Sequence, residues 1–208
     1  MDTYDIFRGF LKDSFSPQLR AEGFKGSGTT FRRIKVDAIH VLNVQGSRSG
    51  GKCCVNLGVH FAFLPTAGDQ PVADLKKLKE YECDFRARLH EAGEADHWWD
   101  YGVTEAEAQS SCENLIDTYR RRGAAFFDAF EPSPDVFDRI TPAELDIGDC
   151  SNLPPTGNTL VRIALTMSRI MKHLGQSQKC REFAEVGLHH LGQATGLRRE
   201  FERLRSAG

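Results

Sequence analysis

Long apolar runs are missing from this sequence, and so is any leader segment for export. The mean hydropathy is −0.42, and no stretch approaches the roughly 18 apolar residues that a membrane helix needs. The first residues, Met1 to Asp5, are acidic and have no basic region leading into an apolar one. They do not form a secretory signal. We therefore expect a cytoplasmic protein.

Paired cysteine motifs are absent as well. The six cysteines are scattered and none forms a C-x-x-C pair, so neither a redox motif nor a zinc ribbon is encoded. Cys53 and Cys54 are adjacent in a predicted strand, point to opposite faces and cannot easily share a ligand. A zinc site that combines Cys54 with His60 has no support from spacing. We expect reduced, mostly buried thiols and predict neither a metal site nor a cofactor.

The common catalytic motifs are missing too, among them G-x-S-x-G, H-E-x-x-H and D-x-D. Residues 46–53 nearly match the phosphate-binding loop G-x-x-x-x-G-K-[ST], but they lead into a strand instead of a helix, and Cys53 replaces the magnesium-binding hydroxyl. A hairpin tip explains this loop. His189 and His190 lie about 100° apart on a helical wheel, which disfavours a shared metal. No catalytic residues are assigned.

What remains is an ordinary globular composition with an uneven charge. The 208 residues are 40% hydrophobic and 27% charged, which is typical of one domain with its own core. Residues 91–150 hold 15 acidic and 4 basic side chains, whereas residues 151–208 hold 9 basic and 4 acidic ones. The two segments can face each other within the fold or across a homodimer, or be solvated faces. No stripe is basic enough to indicate nucleic-acid binding.

Alternation and helical spacing predict the elements. Residues 3–22 carry an apolar stripe at helical spacing, in which Pro17 suggests a break or a second short helix. Thr104 and Glu107 form a capping box that begins a helix ending near residue 127, and three helical patterns fill the C-terminal section. Strands are predicted at residues 29–35, 36–45, 53–63 and 83–89, with a hairpin loop at 46–51 and a short helix or loop at 73–81.

The predicted fold class is therefore α+β. We expect an antiparallel sheet of about four strands with helices on one face, followed by a C-terminal helical hairpin. The α+β domain is predicted to span residues 1–150. Residues 151–208 are predicted to be a helical extension packed on it, so that the two form one globular unit.

One face of this sheet is predicted to be polar. Val55, Leu57 and Val59 alternate toward the helices, which leaves the neighbouring positions on the other side. If the strands are adjacent, that side carries Asn43, Gln45, Asn56, His60, Arg86 and Arg88. A solvated sheet face is the plain interpretation, but amides and paired arginines suit bidentate recognition. Of the two adjacent tryptophans that follow, one is expected in the core, and we assign Trp99 to the wall of a groove on the polar face.

An ordered series of short segments carries a family resemblance. The series is Gly23-Phe24-Lys25, Thr30-Phe31-Arg32-Arg33, Leu42-Asn43-Val44-Gln45-Gly46-Ser47, Val55-Asn56-Leu57-Gly58-Val59, Cys83, Arg86, Arg88 and Trp98-Trp99. Over about residues 5–125 it resembles the bacterial domain-of-unknown-function family number 4304. The resemblance implies a small bacterial α+β domain and no particular reaction. Its recurring polar positions coincide with the polar face: Asn43, Gln45, Asn56, Arg86 and Arg88.

Two functions remain open at this point. The first is a non-enzymatic binding or interaction module with a protein partner. The second is a small-molecule or anion-binding protein, or an enzyme, in which Arg86 and Arg88 hold a carboxylate or phosphate. In that case Asn43, Gln45 and Asn56 orient the ligand, and His60 is the acid/base group. A concave pocket at these residues would favour the second function, and a flat face the first.

Overall fold

A six-stranded antiparallel sheet organises the described part of the chain, which in this computed structural model comprises residues 3–65, 70–94, 96–130, 137–154 and 156–206. The strand order is β1-β2-β3-β4-β5, and the short β6 pairs with the beginning of β4. The bounds are β1 Lys25–Ser27, β2 Thr30–Ile34, β3 Ala38–Gly46, β4 Lys52–Phe61, β5 Phe85–Arg88 and β6 Trp99–Asp100. The predicted α+β fold with an antiparallel sheet is confirmed.

The long hairpin of β3 and β4 fixes which side chains face the core. Its register places Leu42 opposite Leu57 and Val44 opposite Val55, and all four side chains are buried. Because side chains alternate along a strand, one face becomes continuously apolar. Gly50 and Gly51 in the loop have positive φ angles of 76° and 75°, which residues other than glycine rarely adopt.

Helices cover this apolar face. They are α1 Thr3–Phe10, α2 Ser16–Ala21, α3 Glu105–Thr118, α4 Ala124–Ala129, α5 Pro142–Asp146, α6 Leu160–His173, α7 Ser177–His189 and α8 Arg198–Arg205. A π-helical turn joins α1 to α2, and a second joins α3 to α4. The second short helix that Pro17 suggested is α2, and Pro17 lies in its first turn, where a missing N–H is tolerated.

The predicted capping box at the start of α3 is present. Glu107 N donates to Thr104 Oγ1 at 3.3 Å, and Thr104 N donates to the Glu107 carboxylate at 3.1 Å. The carboxylate thereby satisfies donors that the first turn leaves unpaired. The backbone N–H groups of Val103 and Thr104, which both donate to this carboxylate, lower the pKa of Glu107. None of the described helices is long and apolar enough to cross a membrane.

The C-terminal helices share one apolar cluster with the sheet. That cluster includes Phe7 of α1, Leu57 of β4 and Leu204 of α8. Helices α7 and α8 approach closely at Gly187, where a Cβ atom would lie 2.1 Å from the ring of Phe201. Only a residue without a side chain allows this contact.

Candidate functional site

Half of the sheet face opposite the helices is covered by the chain itself. Residues 70–84, the covering segment, fold over β3 and contribute Leu78 and Cys83 to a second apolar cluster with Ile39 and Val41. Arg32 Nε anchors the segment by donating to Leu78 O at 2.6 Å. Cys83 was predicted to share a face with Phe85, but β5 begins only at Phe85 and Cys83 packs on the opposite side of the sheet.

The covered half removes His60 from the candidate surface. His60 is fully buried, and its Nδ1 atom lies 2.9 Å from Asp84 Oδ2. This distance is within the range of an ion pair, but the two groups are not aligned for a hydrogen bond. We therefore regard the contact as electrostatic. The same Asp84 oxygen accepts the Phe61 N–H at 2.9 Å. The interpretation of His60 as an accessible acid/base group is therefore wrong.

Gly58 explains how the covering segment comes so close to the sheet. A Cβ atom at this position would lie 2.7 Å from Cys83 Sγ and 3.2 Å from Glu80 O. Gly58→Ala is therefore expected to lower the free energy of unfolding by about 1–3 kcal/mol through overpacking. Urea denaturation measures the change, and adding Cys83→Ala should restore part of the loss. Unchanged stability in Gly58→Ala would show that the segment is loosely held.

The open half of the face carries a connected group of polar side chains. We call it the polar patch, and its members are Gln45, Lys52, Asn56, Arg88, Asp96 and Trp98. Asn56 Nδ2 donates to Gln45 Oε1 at 2.8 Å, and Arg88 Nε donates to Asn56 Oδ1 at 3.4 Å. Arg88 Nη1 reaches both Asp96 oxygens at 3.1 and 3.0 Å. Each side chain therefore restricts the rotamer of the next.

Trp98 is the aromatic member of the patch. Its Nε1 donates to Asp96 Oδ2 at 3.2 Å, and the Arg88 guanidinium and Lys52 ammonium lie 5.3 and 5.6 Å from ring centroids of Trp98. Both distances fall within cation–π range. The indole is half-buried, its donor is satisfied, and two cations lie within cation–π distance of its rings.

Trp99, which we had assigned to the groove, lies in the core instead. It pairs with Cys53 in the β6–β4 ladder, so it takes the core face that Cys53 occupies. Only 2% of its surface is exposed, and its Nε1 donates to Asn114 Oδ1 at 2.8 Å. Trp98, one residue earlier, necessarily points to the other side.

Asn43 and Arg86 share the predicted face but are engaged differently. Asn43 Nδ2 donates to Thr30 Oγ1 at 2.9 Å, which ties β3 to β2. The backbone of Arg86 holds the edge of β5, since its N–H donates to Asn158 Oδ1 at 3.2 Å and its carbonyl accepts Gly157 N at 2.6 Å. The Arg86 side chain joins the patch at an open depression of about 330 Å³, which is also lined by Gln45, Asn56, Glu80, Tyr81 and Arg88.

Two groups on this face, Arg88 and Cys54, have their charge states set by their surroundings. Arg88 is neutralised by Asp96 at 3.0 Å, and the buried Cys54 beside Gln45 in the ladder has a thiol pKa raised by burial. A protonated thiol is a poor nucleophile at neutral pH. The depression is open to solvent.

A cluster of two histidines and one aspartate lies far from the patch. The Asp146 Oδ1 atom is 2.8 Å from His189 Nδ1 and 3.0 Å from His190 Nε2. These two hydrogen bonds lower the pKa of Asp146. The helical-wheel expectation does not apply, because α7 ends at His189 and His190 lies beyond it. The Asp146 carboxylate is thus a hydrogen-bond partner of both histidine rings.

Comparison with known proteins identifies a family for this chain but no reaction. No curated protein and no solved structure matches the chain. A family described as domain of unknown function (DUF4304) matches residues 15–129, which is more than half of the 208 residues. This stretch contains the whole sheet and the polar patch, and the chain belongs to the DUF4304 family.

Proposed function

We propose that the protein is a non-enzymatic interaction module that binds another protein through the polar patch. The observation that carries this proposal is Trp98, a half-buried indole that donates a hydrogen bond to Asp96 and has the cations of Arg88 and Lys52 near its rings. Trp and Arg are enriched among the residues that dominate interface energies. Side chains that are already ordered lose less conformational entropy on binding.

The state of Arg88 favours a protein partner over a small anion. Both Asp96 oxygens already contact its guanidinium, so an incoming anion would have to displace a carboxylate. A protein surface, by contrast, can pack on the indole and extend over the open depression beside it. Tyr81, 60% exposed at the rim of this depression, adds a second aromatic contact.

Affinity capture with matched variants tests the proposal. The tagged protein should recover a stoichiometric partner from the lysate of its own source. Trp98→Ala and Arg88→Ala should each weaken binding of the purified partner at least about tenfold, since central interface residues contribute about 2 kcal/mol or more. Val36→Ala, which truncates an apolar side chain that is 89% exposed, should leave binding unchanged.

The melting temperatures of these variants separate binding from folding. Trp98→Ala is expected to melt within a few degrees of the wild type, because the indole is only half-buried. Recovery of the same partner in equal amounts by Trp98→Ala would contradict the proposal, as would the absence of any partner of the wild type.

A further inference from the structure

A second depression opens beside β5 and shares Arg88 with the polar patch. It lies between residues 87–90 at the end of this strand, residues 121–129 of the π turn and α4, and residues 152–154. Its volume of about 430 Å³ exceeds that of the depression at the patch. Volumes of roughly 300–1,000 Å³ are typical of small-molecule sites. We call it the β5 cleft.

The floor of the β5 cleft is apolar. It is formed by four side chains that are at most 7% exposed, Leu57, Leu89, Phe126 and Leu153. Ala125 and Ala129 line it from one side of α4, where residues four apart lie on the same face. Two small residues at these positions leave the volume that larger side chains would fill.

The rim of the cleft is cationic. It carries Arg121, Arg122, Arg139 and His90. Arg121 is paired with Glu91 at 3.0 Å. Arg122 and Arg139 form no ion pair and no hydrogen bond within the described ranges of the chain. Arg122 is half-buried, and a partly desolvated cation without a counter-charge is unfavourable until an anion arrives.

The backbone of β5 adds a further polar contact. Leu89 N donates to Val55 O at 2.9 Å, so the N–H and carbonyl of Arg88 point away from β4 in this antiparallel ladder. The corresponding groups of Arg86 are hydrogen-bonded: its N–H donates to Asn158 Oδ1, and its carbonyl accepts from Gly157 N. The outward groups of Arg88 have no protein partner among the described residues, and Arg88 lines the cleft.

From this arrangement we infer that the β5 cleft binds a small organic acid with an apolar body. The body lies on Leu57, Leu89 and Phe126, and the anionic group accepts hydrogen bonds from Arg122 and Arg139. Charge-assisted hydrogen bonds of this kind are about twice as strong as neutral ones. The inference does not rest on the protein-binding role proposed for the patch, because the anion is held by Arg122 and Arg139, which are not members of the patch.

Two fluorescent probes that differ in one charge test the inference. 8-Anilinonaphthalene-1-sulfonate has the apolar body and the anion, and N-phenyl-1-naphthylamine has the same rings without the sulfonate. We expect saturable one-site binding of the sulfonate by the folded wild type. Octanoate should displace it, and octanol at the same concentration should not.

Arginine variants locate the anion. Arg139 is exposed, so Arg139→Ala should fold normally and weaken sulfonate binding by about threefold to tenfold, with a larger loss in Arg122→Ala/Arg139→Ala. Arg122→Lys should retain most of the affinity, because it keeps the charge. Arg48→Ala, at the exposed hairpin tip, is the matched control for loss of a cation elsewhere.

Filling the cleft locates the apolar body. Ala125→Trp should abolish binding of the sulfonate, while melting cooperatively shows that the chain is folded. Equal binding of the two probes, insensitivity to both arginines, or unchanged binding in Ala125→Trp would each overturn the inference and indicate apolar adsorption elsewhere. Absence of saturable binding to the wild type would overturn it as well.

Discussion

Asp84→Ala is expected to lower the free energy of unfolding by about 2–4 kcal/mol, which is a large part of the stability of an ordinary domain. The carboxylate is 8% exposed and accepts the Phe61 N–H at 2.9 Å. Without it, a buried N–H at the end of β4 loses its acceptor, and the fully buried His60 ring loses the carboxylate beside it. Urea denaturation at neutral pH measures the effect.

Asp84→Asn separates the hydrogen bond from the charge. The amide oxygen can still accept from Phe61 N–H, so the loss should be no more than about half of that in the alanine variant. The backbone carbonyl of Asp84, which accepts from Asn158 Nδ2, is unchanged in both variants. If Asp84→Ala were as stable as the wild type, the side chain would not link β4 to β5 as the contacts indicate.

The sheet was predictable because the sequence patterns that specify it lie within single strands and the loop between them. Alternation along 53–63 assigned Val55, Leu57 and Val59 to the core face, and all three are buried there. The Ser/Gly loop between the two longest strands indicated a hairpin, which in turn set the register of Asn43 opposite Asn56. Each of these features depends on residues close together in the sequence.

The covering segment was not predictable because its contacts are distant. Arg32 and Leu78 are 46 residues apart, and residues 70–84 have no periodicity that reports what they pack against. The prediction therefore placed His60 on an accessible polar face, whereas His60 and Gly58 both lie beneath this segment. Gly58 carried the available signal, since a glycine in the middle of a strand often marks the close approach of another backbone.

The two tryptophans were assigned in the wrong order for a similar reason. Adjacent residues in a strand face opposite sides, but which one faces inward depends on the register with the neighbouring strand. Here that register is set by β6, a strand of two residues that pairs Trp99 with Cys53. A strand of two residues has no alternating pattern in the sequence, so the surface position of Trp98 could not be predicted without the structure.

Acid should destabilise the protein through one buried histidine. His40 of β3 is fully buried, stacks on the Phe127 ring at a centroid distance of 4.9 Å, and accepts from Arg33 Nε through Nδ1 at 3.1 Å. An imidazole that accepts from a guanidinium must be neutral. Burial, aided by the charges of Arg33 and Lys35, lowers the pKa of His40 from 6.5 to about 3.

The direction of the pH effect follows from proton uptake. Below about pH 6.5 the unfolded chain binds a proton at His40 that the folded protein excludes until about pH 3. The contribution of His40 to stability is therefore fully present above pH 6.5, and it is lost as the pH falls, by about 1.4 kcal/mol per pH unit. Urea unfolding in steps between about pH 7.5 and 4.5 should reveal a loss of roughly 2–3 kcal/mol from this group.

His40→Phe isolates the contribution of His40 from that of the carboxylates. The phenyl ring keeps the stack on Phe127 but cannot bind a proton. The free energy of unfolding of the variant should therefore fall less steeply with decreasing pH, by up to about 1.4 kcal/mol per pH unit. The variant is also expected to be less stable near pH 7.5, because Arg33 loses an acceptor. Parallel stability curves of variant and wild type below about pH 6.5 would show that the folded protein accepts the proton at His40, which contradicts the burial of a neutral imidazole.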